Sequence, residues 1–179
     1  RTIANFVRNT ELYESKKLSV LSGAEVFVKR ENLQRTGAYK IRGAYNKIAH
    51  LSEEQKQGGV IAASAGNHAQ GVALSAREFG VRAVIVMPES TPLLKVIGTK
   101  NLGAEVILKG NNFDEAYAYA VEYANENNLV FVHPFNDELI QAGQGTIALE
   151  MLESVPDLDY IVAPVGGGGL ISGVASCAK

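Results

Sequence analysis

Four short apolar runs punctuate the middle of the chain, each separated from the next by a stretch of helical period. Val60-Ile61-Ala62-Ala63, Ala83-Val84-Ile85-Val86, Glu105-Val106-Ile107-Leu108 and Leu129-Val130-Phe131-Val132 lie roughly 22 to 25 residues apart. Their unbroken, β-branched-rich character predicts strands buried on both faces, as in parallel sheets. The intervening pattern predicts three helices. The first runs from Asn67 to Phe79 and ends at Gly80. The second runs from Pro92 to Leu102, with Thr91 as N-cap and proline at the first helical position. The third runs from Phe113 to Asn127, capped by Asn111 or Asn112. Strands alternating with helices predict an α/β fold, an open parallel sheet with helices on both faces. The helices share no common motif, so the period is that of a βα unit and not of a solenoid.

Outside this block, Glu25 to Lys29 reads as a strand, followed by a helix that begins near Lys40. Asp137 to Leu152 reads as a helix carrying Gln141-Ala142-Gly143-Gln144-Gly145 near its start. Tyr160 to Val165 reads as a strongly buried strand that runs into Gly166-Gly167-Gly168-Gly169 and a further helix. The economical arrangement is a smaller parallel-sheet domain, residues 51–135, set between residues 1–50 and 136–179, which form parts of a larger one. A crevice between two such domains is a natural ligand site. The last residues, Ala175 to Lys179, stop inside an apolar helical pattern without a terminator. They read as an interrupted element, so the chain is expected to be part of a larger protein, its larger domain truncated at 179. Arg1 opens the chain without a Met or a signal-like stretch, which fits an upstream trim.

Composition narrows the function classes. The 179 residues are 46% hydrophobic and 20% charged, with a net charge of −2. That balance argues against nucleic acid or an anionic membrane as a general partner. No apolar run approaches the roughly 18 residues of a membrane span. The lone Cys177 excludes an intrachain disulfide and suits a reducing, cytoplasmic compartment.

Three features carry candidate chemistry. Lys40 follows the turn-forming run Thr36-Gly37-Ala38 at the head of a predicted helix, where the positive end of the helix disfavours an ammonium. Partial desolvation adds to this, and a lysine of lowered pKa can attack a carbonyl to form a Schiff base. Gly166-Gly167-Gly168-Gly169-Leu170 follows a strand and opens a helix, a backbone able to wrap an anion with inward N–H groups. The spacing matches neither Gly-x-Gly-x-x-Gly nor a nucleoside-triphosphate loop. Ser64-Ala65-Gly66-Asn67-His68-Ala69-Gln70-Gly71 sits where open α/β sheets place ligands, with amides and a hydroxyl suited to a carboxylate. Asn67 serves equally well as a helix cap, and His68 equally well as a structural histidine. His133 and His50 carry weaker cases, and no metal site is expected. A Schiff-base lysine, a phosphate cradle and a carboxylate loop together point to pyridoxal phosphate acting on an amino acid.

At these residues the chain resembles the fold-type II pyridoxal-phosphate enzymes, of tryptophan synthase β-like architecture. Thr36 to Ala44 resembles their lysine motif, Ser64 to Gly71 their asparagine loop, and Gly166 to Leu170 their tetraglycine loop. The match spans essentially the whole chain. It is nearest the threonine ammonia-lyase (threonine dehydratase) group, which Pro134-Phe135-Asn136-Asp137 and Ala142 to Thr146 also resemble. The resemblance implies that Lys40 bears the cofactor and that Asn67 partners its 3′-oxygen. It gives the phosphate to Gly166, Gly167, Gly168, Gly169 and Leu170, and lays Tyr39, usually Phe, against the ring. Ser64, Ala65, Gly66, Asn67 and His68 would surround the substrate carboxylate. Ala38 stands for the usual Ser, and Glu11 where many relatives carry Pro.

The implied reaction is deamination of L-threonine, and of L-serine, to 2-oxobutanoate or pyruvate and ammonia, by Cα deprotonation and β-hydroxyl elimination. Its implied setting is amino-acid metabolism, isoleucine biosynthesis included, in a homo-oligomer of two or four chains. Serine racemase is the rival, but racemases of this type offer a serine beside the asparagine loop where this chain has Ala65. A non-catalytic fragment that holds a phosphorylated ligand is the alternative from another class.

Overall fold

The computed structural model describes residues 2–179. In chain order it contains β1 (Leu12–Glu14), α1 (Lys16–Ser22), β2 (Phe27–Lys29), a 3-10 turn (Glu31–Leu33), α2 (Lys40–Ala49), α3 (Glu53–Gly58), β3 (Val60–Ala63) and α4 (Asn67–Glu78). There follow β4 (Ala83–Met87), α5 (Leu93–Asn101), β5 (Glu105–Leu108), α6 (Phe113–Glu126), β6 (Val130–Phe131), α7 (Glu138–Ser154) and α8 (Gly169–Cys177).

The four predicted strands form one parallel sheet in the order β5-β4-β3-β6. Its register pairs Val60 with Ala83 and with Val130, and Val84 with Glu105. Alternate residues of each strand enter separate cores, because successive side chains point to opposite faces. Val60, Ala62, Ile85 and Met87 meet α2, α4 and α5 on one face, through residues such as Ile48, Val72 and Val96. Ile61, Ala63, Val84 and Val86 meet Ala116, Ala120 and Ala124 of α6 on the other. Chain order reverses at β3: α4 leads away to β4 on one side, while β6 returns on the other. The loops after β3 and β6 therefore diverge, and between them open α/β sheets form ligand crevices.

Several helix ends follow local chemistry. Asn112 caps α6 by accepting the Glu115 N–H, and Asp137 caps α7 by accepting those of Leu139 and Ile140. The sequence pattern missed α3, although Ser52-Glu53-Glu54-Gln55 forms a reciprocal capping box there. Thr91 is not an N-cap. Pro92 occupies that position ahead of α5, and the Thr91 hydroxyl is buried with no partner among the described residues. No helix among the described residues is long and apolar enough to cross a membrane.

One strand expectation fails. Tyr160 to Val165 forms no strand and lies in no sheet, with Tyr160 87% and Val162 95% exposed. Strand propensity needs a neighbouring ladder to become a strand, and no described strand lies beside this segment. Outside the parallel sheet, the only ladder among the described residues is the antiparallel pair β1–β2, with Leu12 opposite Lys29.

Glycine contacts bind α7 to two other helices. A Cβ on Gly143 would fall 2.5 Å from the carbonyl oxygen of Arg42 in α2. One on Gly145 would fall 2.8 Å from the Gly173 carbonyl oxygen in α8. The helix that begins at Lys40 and the helix that begins at the glycine loop are thus held against opposite sides of the same helix.

Candidate active site

The turn before α2 is tight. Gly37 takes a left-handed φ of 71° and donates its N–H to Gln34, after which Tyr39 enters the helix and Lys40 becomes its first residue. Lys40 is half-buried, and its Nζ donates to the carbonyl oxygen of Pro134 at 2.6 Å. Among the described residues no carboxylate pairs with it, and burial lowers its pKa below the ordinary lysine value. The Tyr39 ring lies 5.6 Å from Nζ. It packs with Leu170 among side chains of α7 and α8, and burial raises its phenol pKa.

Two residues on, Arg42 points the other way into a charge cluster. Its fully buried guanidinium makes two hydrogen bonds to Glu31 and two to Glu150, at 2.6 to 2.8 Å, and a fifth to Thr146 at 3.1 Å. Lys29 adds an ion pair to Glu150 at 2.6 Å. Two cations balanced by two carboxylates fasten the first turn of α2 to α7 and to the segment after β2. The sequence pattern missed this cluster; a second cation at a helix N-terminus was its only signal.

The asparagine loop follows β3 at the reversal of strand order. Ser64 donates its N–H to Val86 at the end of β4, and its Oγ accepts the Gly66 N–H at 3.2 Å. Gly66 is the N-cap of α4 and supplies no side-chain cap. Asn67 therefore does not cap the helix. Its amide is exposed and forms no hydrogen bond with the described residues. Ala65 is half-buried beside it. The His68 imidazole turns inward instead, 4% exposed, and Nε2 donates to the Val132 carbonyl at 2.9 Å. Burial pushes its pKa down to about 4, so the ring is neutral near pH 7. Any contact from His68 to a ligand in this loop falls to its backbone N–H.

The glycine loop leads into α8 with Gly168 as N-cap at φ +87°. Side chains on Gly167 or Gly169 would strike Phe135, whereas Gly166 has open space where a Cβ would stand. The first N–H groups of α8 have no helical acceptor, and the bare loop leaves them accessible to an anion.

One segment connects all three motifs. Val132 takes the His68 hydrogen bond, Pro134 takes that of Lys40, and Phe135 packs on the glycine loop. A cavity of about 930 Å³ lies elsewhere, between β2, α7 and the segment around Tyr160, and touches the motifs only at Tyr39 and Leu170. That cavity holds neither the Lys40 amine nor the asparagine loop, whereas Lys40, His68 of the asparagine loop and the glycine loop all contact residues 132–135.

The residues present fit pyridoxal phosphate. An amine of lowered pKa, free of any carboxylate, suits covalent attachment to an aldehyde, and a bare glycine loop with open space at Gly166 and a helix N-terminus behind it suits a phosphate. Two buried polar atoms in the motifs, Thr36 Oγ1 and His68 Nδ1, have no partner among the described residues.

Comparison with known proteins agrees. The model of the family described as "Pyridoxal-phosphate dependent enzyme" matches residues 3–179. The chain is 60% identical to L-threonine ammonia-lyase of Thermotoga maritima, covering all of this chain and 45% of that protein. It is 52% identical to the catabolic L-threonine dehydratase of Staphylococcus aureus, covering 99% of this chain and 52% of the relative. Among solved structures, processed threonine deaminase isoform 2 of Solanum lycopersicum superposes with a TM-score of 0.95 at 43% identity, over 98% of this chain and 48% of that one. Maize serine racemase also gives 0.95, at 41% identity over 99% and 54%. The chain thus spans about half the length of the curated relatives it matches. With the lysine, asparagine-loop and glycine-loop geometry in place and a family match from residue 3 to residue 179, the chain belongs to the fold-type II family of pyridoxal-phosphate-dependent enzymes.

Proposed function

We propose that this chain carries the cofactor-binding part of an ammonia-lyase that deaminates L-threonine to 2-oxobutanoate, and L-serine to pyruvate. The observation that carries the reading is the half-buried, carboxylate-free Lys40 amine, held by Pro134 in the segment that also packs on the glycine loop. The names of the relatives at 52–60% identity support the choice of substrate.

When bound, pyridoxal phosphate supplies the electron sink that makes the substrate Cα acidic. The protein's part is positional. Lys40 Nζ is the amine that holds the cofactor; as a free amine of lowered pKa it accepts the Cα proton. The Asn67 amide, uncapped and exposed, donates to the cofactor's ring oxygen, and Tyr39 borders the ring. N–H groups of Gly166 through Gly169 and Leu170 bind the phosphate. Ser64, Ala65, Gly66, Asn67 and His68 surround the substrate carboxylate, with the Ser64 hydroxyl and the N–H groups of Ala65, Asn67 and His68 as donors, since those of Ser64 and Gly66 are engaged within the protein. Ala65 has no proton to give from the opposite face, which favours elimination over racemisation. We assign residues 51–135 to the smaller domain and residues 1–50 and 136–179 to the larger, in a cytoplasmic homo-oligomer.

The test is made on the full-length protein. With pyridoxal phosphate added, an absorption band that borohydride fixes onto a Lys40 peptide is expected, with 2-oxobutanoate released from L-threonine. Chiral analysis of an L-serine reaction separates pyruvate from D-serine. Turnover that survives Lys40→Ala would overturn the assignment.

A further inference from the structure

His133 stands at the centre of the segment that joins the three motifs, yet no step above uses it. Its ring is held edge-on by Phe135, with centroids 4.6 Å apart and planes at 88°, and flanked by Tyr117 and Phe131. In that orientation Nδ1 faces two backbone donors, the N–H of Asn136 at 2.8 Å and that of Phe135 at 3.2 Å. Both partners are donors, so Nδ1 must accept and the ring proton must sit on Nε2. The result is an imidazole counterpart of the turn that an Asn side chain makes with the backbone two residues on.

Both anchors of the site lie inside that turn. Pro134 has no N–H, and its carbonyl goes to Lys40 Nζ. Phe135 lies against Gly167 and Gly169, and its own carbonyl accepts from Gln141 Nε2 at 3.1 Å. Burial lowers the His133 pKa and so favours the neutral ring; Lys40 acts in the same direction, while Asp137, itself paired with Lys47 at 2.7 Å, opposes.

We propose that His133 is a positioning residue for Lys40: its unprotonated Nδ1 closes the 133–136 turn, which aims the Pro134 carbonyl at Nζ and seats Phe135 under the glycine loop. The inference rests on Lys40 as the cofactor lysine, and its first readout is the amine itself.

Three full-length apo-proteins test it: wild type, His133→Phe, which keeps an aromatic ring and loses the acceptor, and His133→Asn, which restores an acceptor. Lys40 labelling by acetic anhydride at fixed pH is followed by peptide mass spectrometry, alongside the rate of covalent pyridoxal phosphate uptake. Loss of the Phe135 and Asn136 hydrogen bonds that close the turn around Pro134 should make His133→Phe label about fivefold faster and take up cofactor about fivefold slower. His133→Asn should stay within about twofold of wild type in both. Equal labelling in wild type and His133→Phe would overturn the proposal, as would an Asn variant that behaves like the Phe variant. If His133→Phe does not fold, His133→Asn still decides, since departure from wild-type labelling refutes the acceptor role. Failure of every protein, wild type included, to take up cofactor would refute the cofactor reading instead, and labelling would still judge His133.

Discussion

Gly143 on α7 meets Gly43 on α2 with no side chain between them: a Cβ on Gly143 would fall 2.5 Å from the Gly43 Cα. Gln144, the next residue, is almost fully buried and accepts the Gly43 N–H at 3.2 Å. The crossing fixes where Lys40, three residues before Gly43, stands relative to α7. Gly143→Ala must push the two helices apart, since the obstruction is backbone and cannot rotate away. A loss of about 1–3 kcal/mol is expected, with weaker cofactor binding, checked by thermal unfolding and cofactor titration of the full-length protein.

Arg42 is expected to be among the costliest positions to truncate. Arg42→Met leaves Glu31 and Glu150 facing each other without the cation between them, and breaking a buried pair in this way costs about 3–5 kcal/mol. Arg42→Lys should rescue little, because one ammonium cannot serve two carboxylates with paired hydrogen bonds. Denaturant unfolding of both variants checks the order.

Acid should destabilise the fold through His68 before its carboxylates protonate. The folded-state pKa is about 4 against an ordinary 6.5, so the unfolded chain takes up the proton first. The contribution is fully present above about pH 6.5 and is lost as the pH falls to 4. At about 1.4 kcal/mol per unit the loss is roughly 3 kcal/mol. Unfolding curves between pH 8 and 4 measure it, and a flat profile across that window would contradict a buried, neutral His68.

The glycine loop separates folding from binding. Gly168→Ala forces a side chain into a left-handed backbone at φ +87° and should cost about 1–2 kcal/mol as well as cofactor affinity. Gly166→Ala meets nothing within 4 Å and should leave stability unchanged; on the proposed assignment of this loop to the phosphate, the added methyl should weaken the cofactor. Parallel melting and cofactor titrations of the two variants distinguish these outcomes.

Much of this was legible in the residues themselves. Apolar runs such as Val60 to Ala63 specify buried parallel strands because every residue of such a run must find cover on one face or the other. Asp137 and Asn112 announce helix starts through their own side chains, and Lys40 and the glycine loop carry recognisable chemistry in short stretches. What these have in common is locality: the deciding interaction lies within a few residues.

The rest was settled by contacts distant in sequence. Tyr160 to Val165 has the composition of a strand, but a strand exists only beside another, and local pattern cannot supply the neighbour. His68 could have faced the ligand or the core, and only the Val132 carbonyl, brought beside it by the pairing of β3 with β6, turns it inward. Arg42 looks like a surface cation until Glu31 and Glu150 close on it. The amine of Lys40 and the carbonyl of Pro134 are 94 residues apart. Their meeting depends on how α2 crosses α7 at paired glycines, and therefore on packing that no local stretch of sequence encodes.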